Sequence, residues 1–321
     1  MNAILGVIFH FIGGFASGSF YIPYKKVKGW AWESYWIVGG IFSWLIVPLL
    51  AAWLTVPNFI DIIKNTEGSV LFYTYLMGLL WGVGGLTFGL SMRYLGMSLG
   101  MSVALGFCSA FGALVPSFYY DIYAQEGKTS FTDMLHSNNG LVVLLSVVVC
   151  LAGIAICGRA GILKEKELSP DQQKEGVKEF NLSKGLIVAT VSGILSACFS
   201  FGIEAGKPMA EVARLAAEAS GTTTLFVNNV VFVVILLGGL TTNFIWCMIL
   251  NTRNKTFGDY TNSKAPLKTN YVFAALAGTT WFLQFFFYGM GETKLGNGAS
   301  SWILHMASII IVSNLWGIKF N

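Results

Sequence analysis

Nine long apolar runs, each close to 20 residues, dominate this sequence of 321 residues. A bilayer core about 30 Å thick is crossed by about 20 helical residues, so each run is predicted to span a membrane. The runs are continuous and lack the alternation of a membrane β-barrel, so the predicted fold is an all-α polytopic membrane protein. They lie near 3–23, 34–56, 70–92, 97–119, 139–159, 184–205, 222–250, 269–291 and 298–318.

The connections between these runs leave little room for a soluble domain. Only 160–183 and 251–268 are long and polar, and 11% of all residues are charged. The five cysteines fall within apolar runs without the spacing of a metal site. Because no zinc-protease helix, phosphate-binding glycine loop or nucleophile–base pair is recognisable, we predict no enzyme, no cofactor and no bound metal.

The basic residues are distributed unequally between the two sets of loops. Fifteen of the 20 lysines and arginines fall in the odd-numbered connections, and five fall in the even-numbered ones. The positive-inside rule therefore predicts an inner-membrane protein with its N-terminus outside and with 160–183 and 251–268 in the cytoplasm. Because the basic residues are scattered over membrane loops, nucleic acid is not an expected partner; the lipid bilayer is.

Two offsets relate the halves of the chain. A shift of 179 places Gly6 on Gly185 and Gly14 on Gly193, so the first run resembles the sixth. A shift of 200 aligns the third run with the eighth, and its matches include Gly78 with Gly278, Trp81 with Trp281 and Leu95 with Leu295. The alternative is chance similarity among glycine-rich helices. A repeat with five spans per unit would place its halves in opposite orientations, as in many transporters.

Several polar stretches of this sequence resemble a known family from the N-terminus to about Met306. The chain is similar to the bacterial L-rhamnose–proton symporters of the drug/metabolite transporter superfamily. The stretches that carry the likeness are Phe20–Lys28, Trp32-Glu33, Val38-Gly39-Gly40, Met92–Ser98, Glu179–Leu182, Lys207-Pro208-Met209, Leu283–Tyr288 and Ser301–Met306.

The resemblance implies ten helices in two inverted five-helix repeats. It divides the chain into a first repeat at 1–160, a cytoplasmic linker at 161–183 and a second repeat at 184–321. Because the sequence ends at Asn321, shortly after the ninth run, the tenth helix is expected to be missing. The resemblance also implies proton symport of a 6-deoxyhexose such as L-rhamnose by alternating access; a passive facilitator or channel and a non-transporting receptor subunit remain alternatives.

Amides and aromatic side chains within the runs are the candidate sugar ligands. Trp281, Gln284 and Tyr288 recur every three or four residues and share a helical face, where an amide binds hydroxyls and rings cover an apolar sugar face. Asn228 and Asn229 are further intramembrane amides. The alternatives are an aromatic packing stripe for the first set and interhelical hydrogen bonds for the second.

Three ionisable residues are candidate carriers of the coupling proton. His10 and His305 lie inside apolar runs, and Glu204 lies near the end of the sixth run, where it is a possible carboxylate partner. An imidazole titrates close to neutral pH, so a histidine can accept a proton on one side of a membrane and release it on the other. The alternative for each histidine is a structural hydrogen bond to a neighbouring helix.

Overall fold

The computed structural model of the protein describes residues 3–125, 127–167 and 181–320, and these residues form helices and no strand. The principal helices are α1 (Ala3–Ser19), α2 (Trp32–Thr55), α3 (Gly68–Ile122), α4 (Asn138–Glu167), α5 (Leu182–Ala205), α6 (Lys207–Ala219), α7 (Asn229–Asn254), α8 (Leu267–Leu295) and α9 (Gly298–Phe320). The all-α prediction for a polytopic membrane protein is confirmed at this level.

Eight helical segments of the described chain are long and apolar enough to cross a membrane, whereas nine spans were predicted. The ninth predicted span, 298–318, coincides with α9. The apolar part of α9 within the described residues is Gly298–Ser313, which is shorter than the other spans.

The third and fourth predicted spans belong to one helix. The sequence predicted a break near 93–96, but α3 continues through these residues. The segment contains no proline, and its single glycine weakens a helix without ending it. Two apolar segments within α3, Gly68–Ser91 and Ser102–Ile122, each meet the length of a span.

Helix α2 contains a π-helical turn at Phe42–Ile46. Pro48 follows this turn and has no N–H, so it cannot donate the usual helical hydrogen bond to the carbonyl of Trp44. The i→i+5 pattern re-pairs the backbone around that position. Such turns rotate the side chains of a helix and are frequent at functional sites.

The chain divides into two compact units. The first comprises Met1–Gly82, Gly202–Gly296 and Ala307–Asn321, and the second comprises Val83–Phe201 and Asn297–Met306. The division differs from the predicted repeats, which remain a prediction. One core cluster of the first unit consists of Tyr24, Trp30, Val38, Ala274 and Ala277, and one of the second consists of Leu95, Leu99, Val103, Ala104 and Ala189.

The two predicted cytoplasmic connections differ in structure. In the predicted linker 161–183, α4 continues to Glu167, and 168–180 lie outside the described residues. The connection 251–268 contains the end of α7 and a 3₁₀-helix, Phe257–Tyr260. Here Asp259 Oδ2 accepts hydrogen bonds of 2.8 Å from the backbone N–H of Ala31 and from Ser34 Oγ, which anchors the loop to the start of α2.

Candidate functional site

One face of α8 carries three of the five predicted sugar-binding side chains, all three within the first unit. Gln284 and Tyr288 are one turn apart and are 4% and 1% exposed, whereas Trp281 is partly buried. Phe285 lies beside them, with its ring centroid 5.1 Å from that of Trp281. The periodicity of the sequence therefore places an amide among aromatic rings in the interior of the helix bundle.

Three tryptophans from different helices meet at this face. The ring of Trp281 lies 5.9 Å from that of Trp44 on α2 and 5.6 Å from that of Trp81 on α3. The Trp44 and Trp281 rings are nearly perpendicular, at 88°, which is a favourable arrangement for aromatic quadrupoles. Trp81 and Trp281 are the pair that the shift of 200 aligned.

A small cavity adjoins this cluster. It has a volume of ≈ 10 Å³, so it holds about one water molecule. A sugar is much larger than one water, so its entry requires the surrounding side chains to move. The cavity is lined by Phe20, Tyr24, Trp36, Gly40, Ser43, Trp44, Gly278 and Trp281.

Two hydrogen-bond donors in this region have no partner among the residues that the structure describes. They are Nε1 of Trp44, whose side chain lies on the π-helical turn, and Nε2 of Gln284. A buried N–H without a partner is costly, typically about 1–3 kcal/mol. Trp44 and Gln284 are therefore positions where a ligand hydroxyl would satisfy existing donors of the protein.

The two predicted asparagines have different surroundings. Asn229 Nδ2 donates to Thr55 Oγ1 at 2.9 Å, a hydrogen bond that joins α7 to α2. Asn228 Nδ2 donates to Glu292 Oε2 at 3.1 Å. Asn229 thus has the interhelical bond that sequence analysis considered as its alternative, whereas Asn228 contacts an ionisable group.

The predicted proton-coupling residues fall into both units. In the first, His10 is fully buried with its ring centroid 5.3 Å from that of Tyr288, and Glu204 forms a 2.5 Å ion pair with Lys207. His305 belongs to the second unit, where it is also fully buried. One helical turn before it, Trp302 donates from Nε1 to the carbonyl of Cys108 at 3.1 Å.

Sequence analysis did not identify Trp44 or Glu292 as site residues. Trp44 belongs to an apolar run rich in tryptophan, and only the π-helical turn and the neighbouring helices distinguish it. Glu292 is near the end of α8, where a carboxylate commonly reaches solvent. One available signal was its position two turns after Gln284 on the face that contains Tyr288.

Known proteins are similar to this chain over nearly its whole length. The L-rhamnose-proton symporter of Yersinia pestis (strain Pestoides F) is 38% identical over 320 residues, which cover 98% of this chain and 88% of the relative. The L-rhamnose-proton symporter of Pectobacterium atrosepticum is 37% identical over 323 residues, which cover 99% and 89%. No solved structure matches significantly. The profile of the L-rhamnose-proton symport protein (RhaT) family matches residues 1–321, and the chain belongs to this family.

Proposed function

We propose that this protein imports L-rhamnose, or a closely related 6-deoxyhexose, across the bacterial inner membrane together with a proton. Family membership carries the proposal: relatives similar over nearly the whole chain are named L-rhamnose-proton symporters. The eight apolar helical segments supply the multi-pass body that such a transporter requires. This is transport without chemical conversion of the sugar.

The aromatic cluster of the first unit is the proposed sugar site. Trp281 and Tyr288 would cover the apolar face of the ring and the methyl group of the 6-deoxy sugar. Gln284 Nε2 and Trp44 Nε1 would donate to sugar hydroxyls, since neither donor has a partner in the described protein. Asn228 and Asn229 are further proposed ligands, and the Asn229 amide also donates to Thr55.

Alternating access is proposed to rest on two inverted repeats, and four contacts support this arrangement. Gly6 packs against Leu295, and Gly185 packs against Leu95. The offset of 179 relates Gly6 to Gly185, and the offset of 200 relates Leu95 to Leu295, so the two offsets convert one contact into the other. Likewise Gly14 packs against Ser308, and Gly193 packs against Cys108. A twofold relation between two halves produces such exchanged pairs, whereas chance similarity of helices does not.

The proposed orientation has the N-terminus outside, because of the distribution of lysine and arginine. Asn262 would then be cytoplasmic, and Ala219 would be external. A membrane-impermeant thiol reagent should label Ala219→Cys and not Asn262→Cys in intact cells. The reverse pattern would exclude this topology.

Transport into proteoliposomes tests the proposed function. We expect L-rhamnose to accumulate when the exterior is acidic, and we expect a protonophore to abolish that accumulation. Equilibration without accumulation would instead indicate a facilitator, and binding without flux would indicate a receptor. Three variants then test the proton-coupling residues proposed from the sequence: His10→Gln, His305→Gln and Glu204→Gln. The measured quantity is the number of protons taken up per sugar molecule.

A further inference from the structure

Helix α8 continues the face of the proposed sugar site to a carboxylate. Gln284, Tyr288 and Glu292 follow one another at intervals of four residues, so their side chains lie along one side of the helix. Glu292 is partly buried in the last turn, and Lys294 is in the same turn. A charge at Glu292 is therefore two turns from Gln284.

Glu292 is held by a buried amide from the segment that precedes α7. Asn228 is 8% exposed, and its Nδ2 donates to Glu292 Oε2 at 3.1 Å. The same Nδ2 lies 3.5 Å from the carbonyl oxygen of Gly289, one turn earlier on α8. The amide thus ties the start of α7 to the carboxylate by a neutral donor, which can bond either the charged or the protonated group.

Buried ionisable groups surround the turn between Tyr288 and Glu292. The His10 ring from α1 packs against Gly291, where a Cβ would lie 2.6 Å from Nε2. Tyr288 contacts the same imidazole and lies one turn before Glu292 on α8. A charge on Glu292 therefore lies one turn from a buried phenol, and one bound proton removes that charge.

Glu204 and Glu292 lie near the ends of different helices. Glu204 is neutralised by Lys207 at 2.5 Å, and the next helix, α6, begins at that lysine. Glu292 lies at the C-terminal end of a long helix, where the backbone carbonyls favour cations over anions. A negative charge at that end of a helix is disfavoured, and a proton bound to Glu292 removes it.

We infer that Glu292 carries the coupling proton and that Asn228 positions its carboxyl group; this inference rests on the proposed proton–sugar symport. A proton from water on one side adds to the carboxylate oxygen and forms a neutral carboxyl. The same proton leaves to water on the other side and restores the carboxylate. Neutralising Glu292 removes a negative charge one turn after Tyr288, and Tyr288 itself lies one turn after Gln284. Protonation of Glu292 is thereby linked to the sugar site.

The test uses the purified full-length protein in proteoliposomes with three measurements: L-rhamnose binding, L-rhamnose exchange without a gradient, and proton uptake driven by an inward L-rhamnose gradient. Glu292→Gln removes the titratable group and retains an amide that bonds Asn228. We expect loss of sugar-driven proton uptake with binding and exchange retained. Glu211→Gln, an exposed carboxylate on α6 that pairs with Arg214, is the matched control and should resemble the wild type.

Coupled proton uptake at the wild-type proton-to-sugar ratio in Glu292→Gln would overturn the inference. Loss of binding and exchange together in the inserted variant would also overturn it, because the residue would then hold the sugar or the fold. If Glu292→Gln does not insert into the membrane, Glu292→Asp tests the inference instead. Its displaced carboxyl should shift the pH profile of coupled proton uptake and leave the pH profile of exchange unchanged. An unshifted profile of coupled uptake would contradict the inference. Absence of proton uptake in the wild type would instead reject the proposed symport.

Discussion

Two polar regions of the first unit differ in how their buried groups are satisfied. Around the connection between α7 and α8, Glu33 Oε1 accepts from Asn254 Nδ2 at 2.9 Å and from Thr256 Oγ1 at 2.8 Å. In the aromatic centre, Trp44 Nε1 and Gln284 Nε2 find no acceptor within the described residues. A network whose donors and acceptors are matched stabilises the fold, whereas unmatched buried donors indicate a place that a ligand completes.

The largest expected effect concerns the first region. Glu33 is 4% exposed, and Glu33→Ala removes two hydrogen bonds to a charged group. We expect the free energy of unfolding to fall by about 2–5 kcal/mol, with unchanged L-rhamnose affinity. Thermal unfolding and calorimetric binding in detergent measure the two quantities. Glu211→Ala, which breaks an exposed ion pair, should lower the free energy of unfolding by less than about 1 kcal/mol.

The second prediction reverses this pattern at the aromatic centre. Gln284→Leu keeps the approximate shape of the side chain and removes a donor that no described residue satisfies. We expect L-rhamnose affinity to fall about 5- to 150-fold, which corresponds to about 1–3 kcal/mol, without a decrease in the free energy of unfolding.

Asn251→Leu is the control for Gln284→Leu, because the Asn251 amide donates to the carbonyl of Cys247 at 2.8 Å. This variant should lose unfolding free energy and keep its affinity for the sugar. Wild-type affinity in inserted Gln284→Leu would remove Gln284 from the sugar site.

The smallest effect is expected for Trp44→Phe, which keeps an aromatic ring and removes the indole N–H. One hydrogen bond to a sugar hydroxyl contributes about 0.5–1.5 kcal/mol, so affinity should fall about 2- to 13-fold. Trp302→Phe is the matched control, since its N–H already bonds the Cys108 carbonyl. The comparison between the regions fails if Trp302→Phe weakens sugar binding and Trp44→Phe does not.

Part of the candidate site was predictable from local sequence. The spacing of Trp281, Gln284 and Tyr288 defines one helical face whatever the rest of the chain does, because side-chain direction in a helix follows its period. The spacing could not distinguish Asn228 from Asn229. Adjacent side chains point in different directions, and only the position of neighbouring helices assigned one amide to Glu292 and the other to Thr55.

The continuous helix through 93–96 and the π-helical turn at Phe42–Ile46 were not predicted. A drop in hydropathy near 93 suggested a loop, but hydropathy reports the preferred solvent of a segment and not whether its backbone bends. Pro48 removes one helical N–H, but whether the preceding turn becomes π-helical depends on which backbone N–H groups bond the freed carbonyls. The sequence alone does not specify those bonds.

The sequence by itself determined the class of the protein and the identity of the aromatic and amide residues on α8. These properties follow from transfer free energy and helical period, which act over a few neighbouring residues. Only the tertiary structure decided that Trp44 meets Trp281, that Asn228 bonds Glu292 and that Asn229 bonds Thr55. Hydrogen-bond satisfaction depends on distances of about 3 Å between side chains that can lie far apart in sequence, and helix packing sets those distances.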